Sequence, residues 1–150
     1  MSLLEVKDLS VCFHGSGQKD FCAVKGISFK LEAGEILGIV GESGSGKSLT
    51  ALSILGLLPY PQAYHGKDSS VKFKGIELLA NPDLREFRGG KIGFIFQEPM
   101  SSLNPLHTIE HQIAETLRVH QGLTEKEARK KVLRLLKLTG IKNARSRMKS

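Results

Sequence analysis

Apolar and polar residues alternate through LLEVKDLSVCF, with Leu4, Val6, Leu9, Val11 and Phe13 on the apolar side and one slip of parity. The pattern predicts a half-buried strand. The polar, glycine-containing HGSGQKD then turns the chain into CAVKGISFKLEAGE, a second strand that closes in a tight turn at Ala33 and Gly34, so the two read as a hairpin-like pair. EILGIV follows as a continuous apolar run, the signature of a strand buried on both faces of a sheet. Helical spacing begins at Lys47 and runs through Leu49, Leu52, Ile54, Leu55 and Leu58 until Pro59 and Pro61 stop it. The order is strand, glycine loop, helix.

Residues 60–70 are polar and proline-containing and predict a loop, after which SVKFKGIELL suggests a short strand and a turn. Asn81 and Pro82 can open a brief helix over DLREFR, and KIGFIF, following Gly89 and Gly90, predicts a second buried core strand. HTIEHQIAETLRVHQG places Ile109, Ile113, Ala114 and Leu117 at helical spacing, with Thr108 as N-cap and Gly122 just past the end. TEKE at 124–127 matches a capping box, and the helix behind it buries Ala128, Val132, Leu135 and Leu136 before Gly140 ends it. Two helices in succession predict a helical subdomain.

The chain has 150 residues, enough for one domain or part of one, and 40% are hydrophobic. No stretch reaches the roughly 18 to 20 apolar residues of a membrane span. The start lacks the basic-then-apolar layout of a leader, which predicts a cytoplasmic chain. Cys12 and Cys22 belong to no CxxC or Cys/His cluster, so neither a structural disulfide nor a metal site is expected in that compartment. Of the formal charge of +7, residues 124–150 carry ten Lys/Arg against two Glu, leaving about −1 for the rest. A basic surface can meet nucleic acid or acidic lipid headgroups, but the segment reads first as an amphipathic helix with a solvated basic face, and with no aromatic residue among its cations no nucleic-acid partner is expected. His107 and His111 are four apart, but HTIEH is not the HExxH order of zinc enzymes and reads as a surface helix start.

Residues 41–48, GESGSGKS, fit the P-loop pattern GxxxxGK[ST]. Glycines permit backbone conformations in which successive N–H groups converge on a phosphate chain, and the helix behind the loop adds the positive end of its dipole. Lys47 places a cation on the terminal phosphates and Ser48 offers a hydroxyl to Mg²⁺. The apolar run before the loop and the amphipathic helix after it are the context this motif requires. The expected cofactor is a nucleoside triphosphate.

The run GISFKLEAGEILGIVGESGSGKSLTALSILGLL resembles the nucleotide-binding subunits of ABC transporters, where a strand and an xxGE turn lead into the Walker A loop. GFIFQEPMSSLNP, residues 93–105, is similar to their Q-loop region, in particular in the branch serving oligopeptide, dipeptide and nickel importers. The resemblance implies an α/β fold: a P-loop NTPase core of ABC type, incomplete, with an N-terminal antiparallel β part and the start of a helical subdomain. Residues 1–150 would be one partial ATP-binding domain, with a β-rich P-loop core to about residue 100 and the helical part from about 101.

The same resemblance implies ATP and Mg²⁺ as cofactors. The nucleotide would lie on Gly41, Glu42, Ser43, Gly44, Ser45, Gly46, Lys47, Ser48 and Leu49, and the adenine ring would stack on Phe13. Gln97 matches the glutamine that meets Mg²⁺ and the attacking water; its amide can offer a carbonyl to the metal and still donate a hydrogen bond. Lys47 and Gln97 would be the catalytic pair, and Ser48 and Gln97 the Mg²⁺ ligands. The implied partners are transmembrane permease subunits, faced by EPMSSLNPLHT, and a second ATP-binding subunit. The implied location is peripheral, at the inner face of the cell membrane.

Hydrolysis also needs an apolar strand ending in an aspartate that orders Mg²⁺, and no run of four apolar residues followed by Asp occurs after Ser48. The signature LSGGQ and a later switch histidine are absent as well, so the chain resembles the first half of such a domain and is expected to bind nucleotide with negligible turnover. Without a strand beside it, the P-loop strand region should be left uncovered, and the chain poorly stable or prone to aggregate. The alternative reading is a non-catalytic nucleotide-binding fragment or degenerate gene product. A small kinase or GTPase is disfavoured, since neither an arginine-bearing lid nor NKxD appears.

Overall fold

The computed structural model describes every residue except Met1, Ser16, Gln18, Pro82 and 98–102. The described chain divides into two compact units, Met1–Arg85 and Glu86–Ser150.

In the first unit, β1 (Leu4–Phe13) and β2 (Phe21–Leu31) form the antiparallel pair the alternation predicts. The slip in parity has a structural cause. The register shifts between Val6 and Leu9, where Asp8 adopts φ 46°, so one extra residue is taken up and Val6, Leu9 and Val11 all reach the core. Ser28 Oγ accepts from the Asp8 N–H at 2.9 Å, and Ser69 Oγ donates to the Asp8 carbonyl at 3.2 Å, which fixes the irregularity.

The other edge of β1 is shared. β4 (Ser70–Phe73) pairs with Leu4–Lys7, and β3 (Ala63–His65) pairs with Val11–Phe13. β3 lies where the sequence predicts only a loop: three residues are too few to show a period, and it is the free edge of β1 that makes them a strand. β4 turns through Lys74 and Gly75, both at positive φ, into β5 (Ile76–Glu77). The Glu77 carboxylate accepts from the Ser70 hydroxyl and from the N–H groups of Val71 and Leu79, fastening this hairpin.

Helix α1 (Lys47–Ile54) starts at the predicted residue but stops sooner than Pro59. Gly56 at φ 61° allows Gly56 N–H to reach the Ser53 carbonyl and Leu57 N–H the Leu52 carbonyl, the paired bonds of a Schellman ending. Leu55 and Leu58, expected on the helix, are buried beyond its end.

Three expectations fail in instructive ways. EILGIV and KIGFIF form no strand; the second has only an isolated bridge between Arg88 and Ile92. Ile36 is 96% exposed and Ile95 96%. A strand buried on both faces requires hydrogen-bonded neighbours and covering layers, and among the described residues neither run has a strand partner. Cys12 and Cys22, expected to be free, are joined by a disulfide, because the register of β1 and β2 sets them directly opposite with Cα atoms 3.9 Å apart.

In the second unit a 3₁₀ turn at Leu84–Glu86, foreshadowed by DLREFR, straddles the boundary. Helices α2 (Ile109–Gln121) and α3 (Glu125–Leu138) carry the predicted caps: Thr108 Oγ1 accepts from His111 N–H, and Thr124 and Glu127 form the reciprocal capping box. Gly140 at φ 76° ends α3 with the same paired bonds seen at α1, from Gly140 to Lys137 and from Ile141 to Leu136. Leu117, Ala128, Val132 and Leu136 pack with Ala144 and Met148 of and beside a short α4 (Ala144–Arg147), which has no counterpart in the sequence reading. The carbonyls of Met148 and Ser150 accept from the N–H groups of Glu110 and Ile109, capping the start of α2.

Candidate functional site

The loop 41–46 leaves the exposed run 35–40 and ends on α1. Ser45 N–H reaches the Glu42 carbonyl at 3.3 Å, closing a four-residue turn whose third residue, Gly44, has φ 79°. Gly46 is the N-cap, at φ 90° and ψ 3°, and it is buried. A side chain there is impossible on two counts. Its φ lies where L-residues are strained, and a Cβ would stand 2.9 Å from the Ala23 carbonyl and 2.8 Å from Val24 Cγ2. The glycine thus lets the loop rest directly on β2.

Having no side chain, Gly46 supplies no cap, and the first turn of α1 carries no acidic residue. The first N–H groups of a helix have no acceptor within it. Here Lys47 and exposed Ser48 occupy that first turn, with the positive end of the helix dipole aimed at the loop. Lys47 Nζ donates to the carbonyls of Gly41 at 2.8 Å and Glu42 at 2.6 Å, which keeps the ammonium folded over the start of the loop. Helix-start N–H groups, one cation and one hydroxyl are the donor set that fits a polyphosphate and its divalent cation.

The rear of α1 is tied to the sheet by a contact the sequence reading missed. Ser53 is fully buried, and its hydroxyl meets His65 Nε2 on β3, with Tyr60 Oη 3.5 Å from the same nitrogen. Burial lowers the pKa of this half-buried histidine. A polar pair on the buried side of α1 is hidden from any apolar-period reading.

The remaining predicted residues are divided between the two units. Phe13 ends β1 in the first unit, and one face of its ring stacks on Phe21 with centroids 5.4 Å apart and planes 15° apart. Phe21, 60% exposed, is the unpredicted member of this pair. Gln97 is exposed in the second unit, just after Phe94 and Phe96, whose rings meet edge to face at 4.7 Å. Residues 98–102 of the segment expected to face a permease lie outside the described residues. His107 and His111 bring their rings within 4.9 Å, and no group of three or more potential metal ligands occurs among the described residues. Nor is any described helix long and apolar enough to cross a membrane.

A glycine loop on a helix start is shared by several nucleotide-binding families, and comparison with known proteins separates them. The family model for ABC transporters matches residues 24–150. The chain belongs to the ABC transporter family. Its curated relatives in that family include the peptidoglycan transport ATP-binding protein YejF of Agrobacterium fabrum, 53% identical over 99% of this chain and 27% of that protein. They also include the dipeptide transport ATP-binding protein DppD of Haemophilus influenzae, 45% identical over 99% of the chain and 44% of that protein. Against these relatives the chain thus spans less than half of their length.

Solved ABC cassettes share the fold. The dimeric bacterial cassette MJ0796 superposes with a TM-score of 0.78 at 26% identity, over 93% of this chain and 58% of that one. Its post-hydrolysis state bound to ADP and Pi gives 0.81 at 26% identity, over 97% and 61%. The fold class is therefore that of a partial P-loop NTPase of ABC type, and nucleotide binding goes with membership of the family.

Proposed function

We propose that the chain forms the nucleotide-gripping part of an ABC importer's ATP-binding subunit, serving peptides or a similar small solute. The observation that carries this reading is the uncapped start of α1 at Gly46, set directly behind a loop that Lys47 spans. The names of the relatives support the peptide assignment, and the dimeric cassettes support a second ATP-binding subunit as partner. Permease subunits are the other proposed partner, which would hold the protein peripherally at the inner face of the membrane.

Residues 41–49 would ring the phosphates with backbone N–H groups, and Lys47 would exchange its two carbonyl acceptors for phosphate oxygens. Ser48 would present its hydroxyl to Mg²⁺, which when bound neutralises charge developing on the phosphates. Gln97 would supply a second oxygen and orient water. Phe13, with one ring face already on Phe21, would offer the other to adenine. In this division of labour, residues to about 100 act as P-loop core and 101–150 as the helical part.

Since no apolar run ending in aspartate follows Ser48, the chain is expected to bind ATP and release almost no phosphate. Titration of the chain with a fluorescent ATP analogue and Mg²⁺, with phosphate release followed in the same sample, tests this. Saturable binding that Lys47→Ala weakens at least tenfold, without release, is the expected result; equal binding by the variant would contradict the site. Release at a normal turnover rate would contradict the non-catalytic part alone.

A further inference from the structure

The ten cations of residues 124–150 do not spread evenly around their helices. Ala128, Val132 and Leu136 turn one face of α3 into the core, Arg129 and the partly buried Leu133 flank that face, and Lys130, Arg134 and Lys137 occupy the opposite one. Where that face meets α4, a cleft of about 800 Å³ opens, walled by Arg129, Lys130, Arg145 and Lys149 and floored by Leu133 and Met148. Its only carboxylate is Glu110, which pairs with Arg129 at 3.1 Å. Arg145 and Lys149 enter no ion pair among the described residues, and Lys130 has Glu127 as an electrostatic neighbour without a close ion pair. Two more open clefts share part of this lining, one with Lys130 and Leu133 and one with Arg145 and Ser146, and beside them Leu138 is 71% and Ile141 44% exposed.

We propose that this face of α3 and α4 docks on the surface of an anionic phospholipid membrane. Two unpaired cations, Arg145 and Lys149, with Lys130 only partly offset by Glu127, are complementary to a negatively charged layer, and each adds to the attraction without needing a fixed geometry. The apolar floor, with Leu138 and Ile141 at the rim, suits the glycerol and upper acyl region beneath the headgroups. Single-stranded nucleic acid is the poorer fit, since no aromatic residue lies between 124 and 150 to stack a base. An acidic peptide calls for one defined groove, whereas the cations here line several open clefts. The proposal requires no nucleotide at the P-loop and stands apart from the function proposed above.

The test is co-sedimentation of the chain, without nucleotide, with vesicles of phosphatidylcholine alone and of phosphatidylcholine mixed equally with phosphatidylglycerol. Binding to the mixed vesicles only is expected, falling steeply with added salt. The exposed Lys130→Glu, Arg145→Glu, Lys149→Glu triple variant, checked for unchanged helix content, is expected to bind at least about a hundredfold more weakly, at roughly fivefold per cation removed. A control with the same charge change on the sheet unit, at Lys7, Lys25 and Lys67, is expected to bind like the parent. Equal loss in both triple variants, equal binding to uncharged vesicles, or no vesicle binding would overturn the proposal. So would capture of an RNA or polyglutamate probe, sensitive to the cleft variant, in place of vesicles.

Discussion

Gly46 combines two constraints on one residue, a left-handed backbone and contact with the Ala23 carbonyl. A Gly46→Ala variant must accept about 1 to 3 kcal/mol of backbone strain or lift the loop off β2. If the loop rings phosphate only while it rests there, as the proposed function has it, nucleotide affinity is expected to fall below detection while far-UV helix content stays near parental. Retained affinity in the titration would show that the loop can form without this contact. His65 offers a second reading at this scale. Burial lowers its pKa, so its contribution to stability is complete above the unfolded value near 6.5 and is lost as pH falls through the folded value. Denaturant midpoints between pH 8 and pH 5 are expected to drop on the acid side, and a His65→Gln variant to drop less; parallel curves would remove His65 from the account.

At the scale of elements, α2 and α3 stand where local chemistry says they should. Thr124→Ala breaks the capping box of α3, and thermal denaturation is expected to show a loss of about 1 kcal/mol, a neutral result being the contrary one. Such caps are legible because donor and acceptor lie within three residues of one another, and the P-loop is legible for the same reason. α1 is shorter than Pro59 and Pro61 alone suggest, because Gly56, just past the C-cap Leu55, turns the chain out of the helix first. Runs 35–40 and 91–96 were misjudged for a different reason. Continuous apolar sequence says that a strand can be buried on both faces, but the burying is done by neighbours, and a run cannot encode its neighbours. The Cys12–Cys22 pair lies between these cases: the parity slip in β1 announces an irregularity, yet only the register across the hairpin puts the two sulfurs together.

For the whole molecule, the division into two units separates the parts of the candidate site. The P-loop and Phe13 belong to Met1–Arg85, while Gln97 belongs to Glu86–Ser150. Exposure of Ile36, Val40, Ile95 and Phe96 marks both units with apolar segments in the stretches flanking the P-loop and Gln97. Under the proposed function the first unit alone would grip phosphate, because the loop, its supporting strand and its helix all belong to it. The most direct test is a two-dimensional amide spectrum of the isotopically labelled chain, recorded with Mg²⁺ before and after addition of ATP. The account predicts that the largest shifts fall on residues 43–49 and on Ala23 and Val24 beneath them. Shifts absent from that loop, with the largest changes elsewhere in the chain, would contradict it.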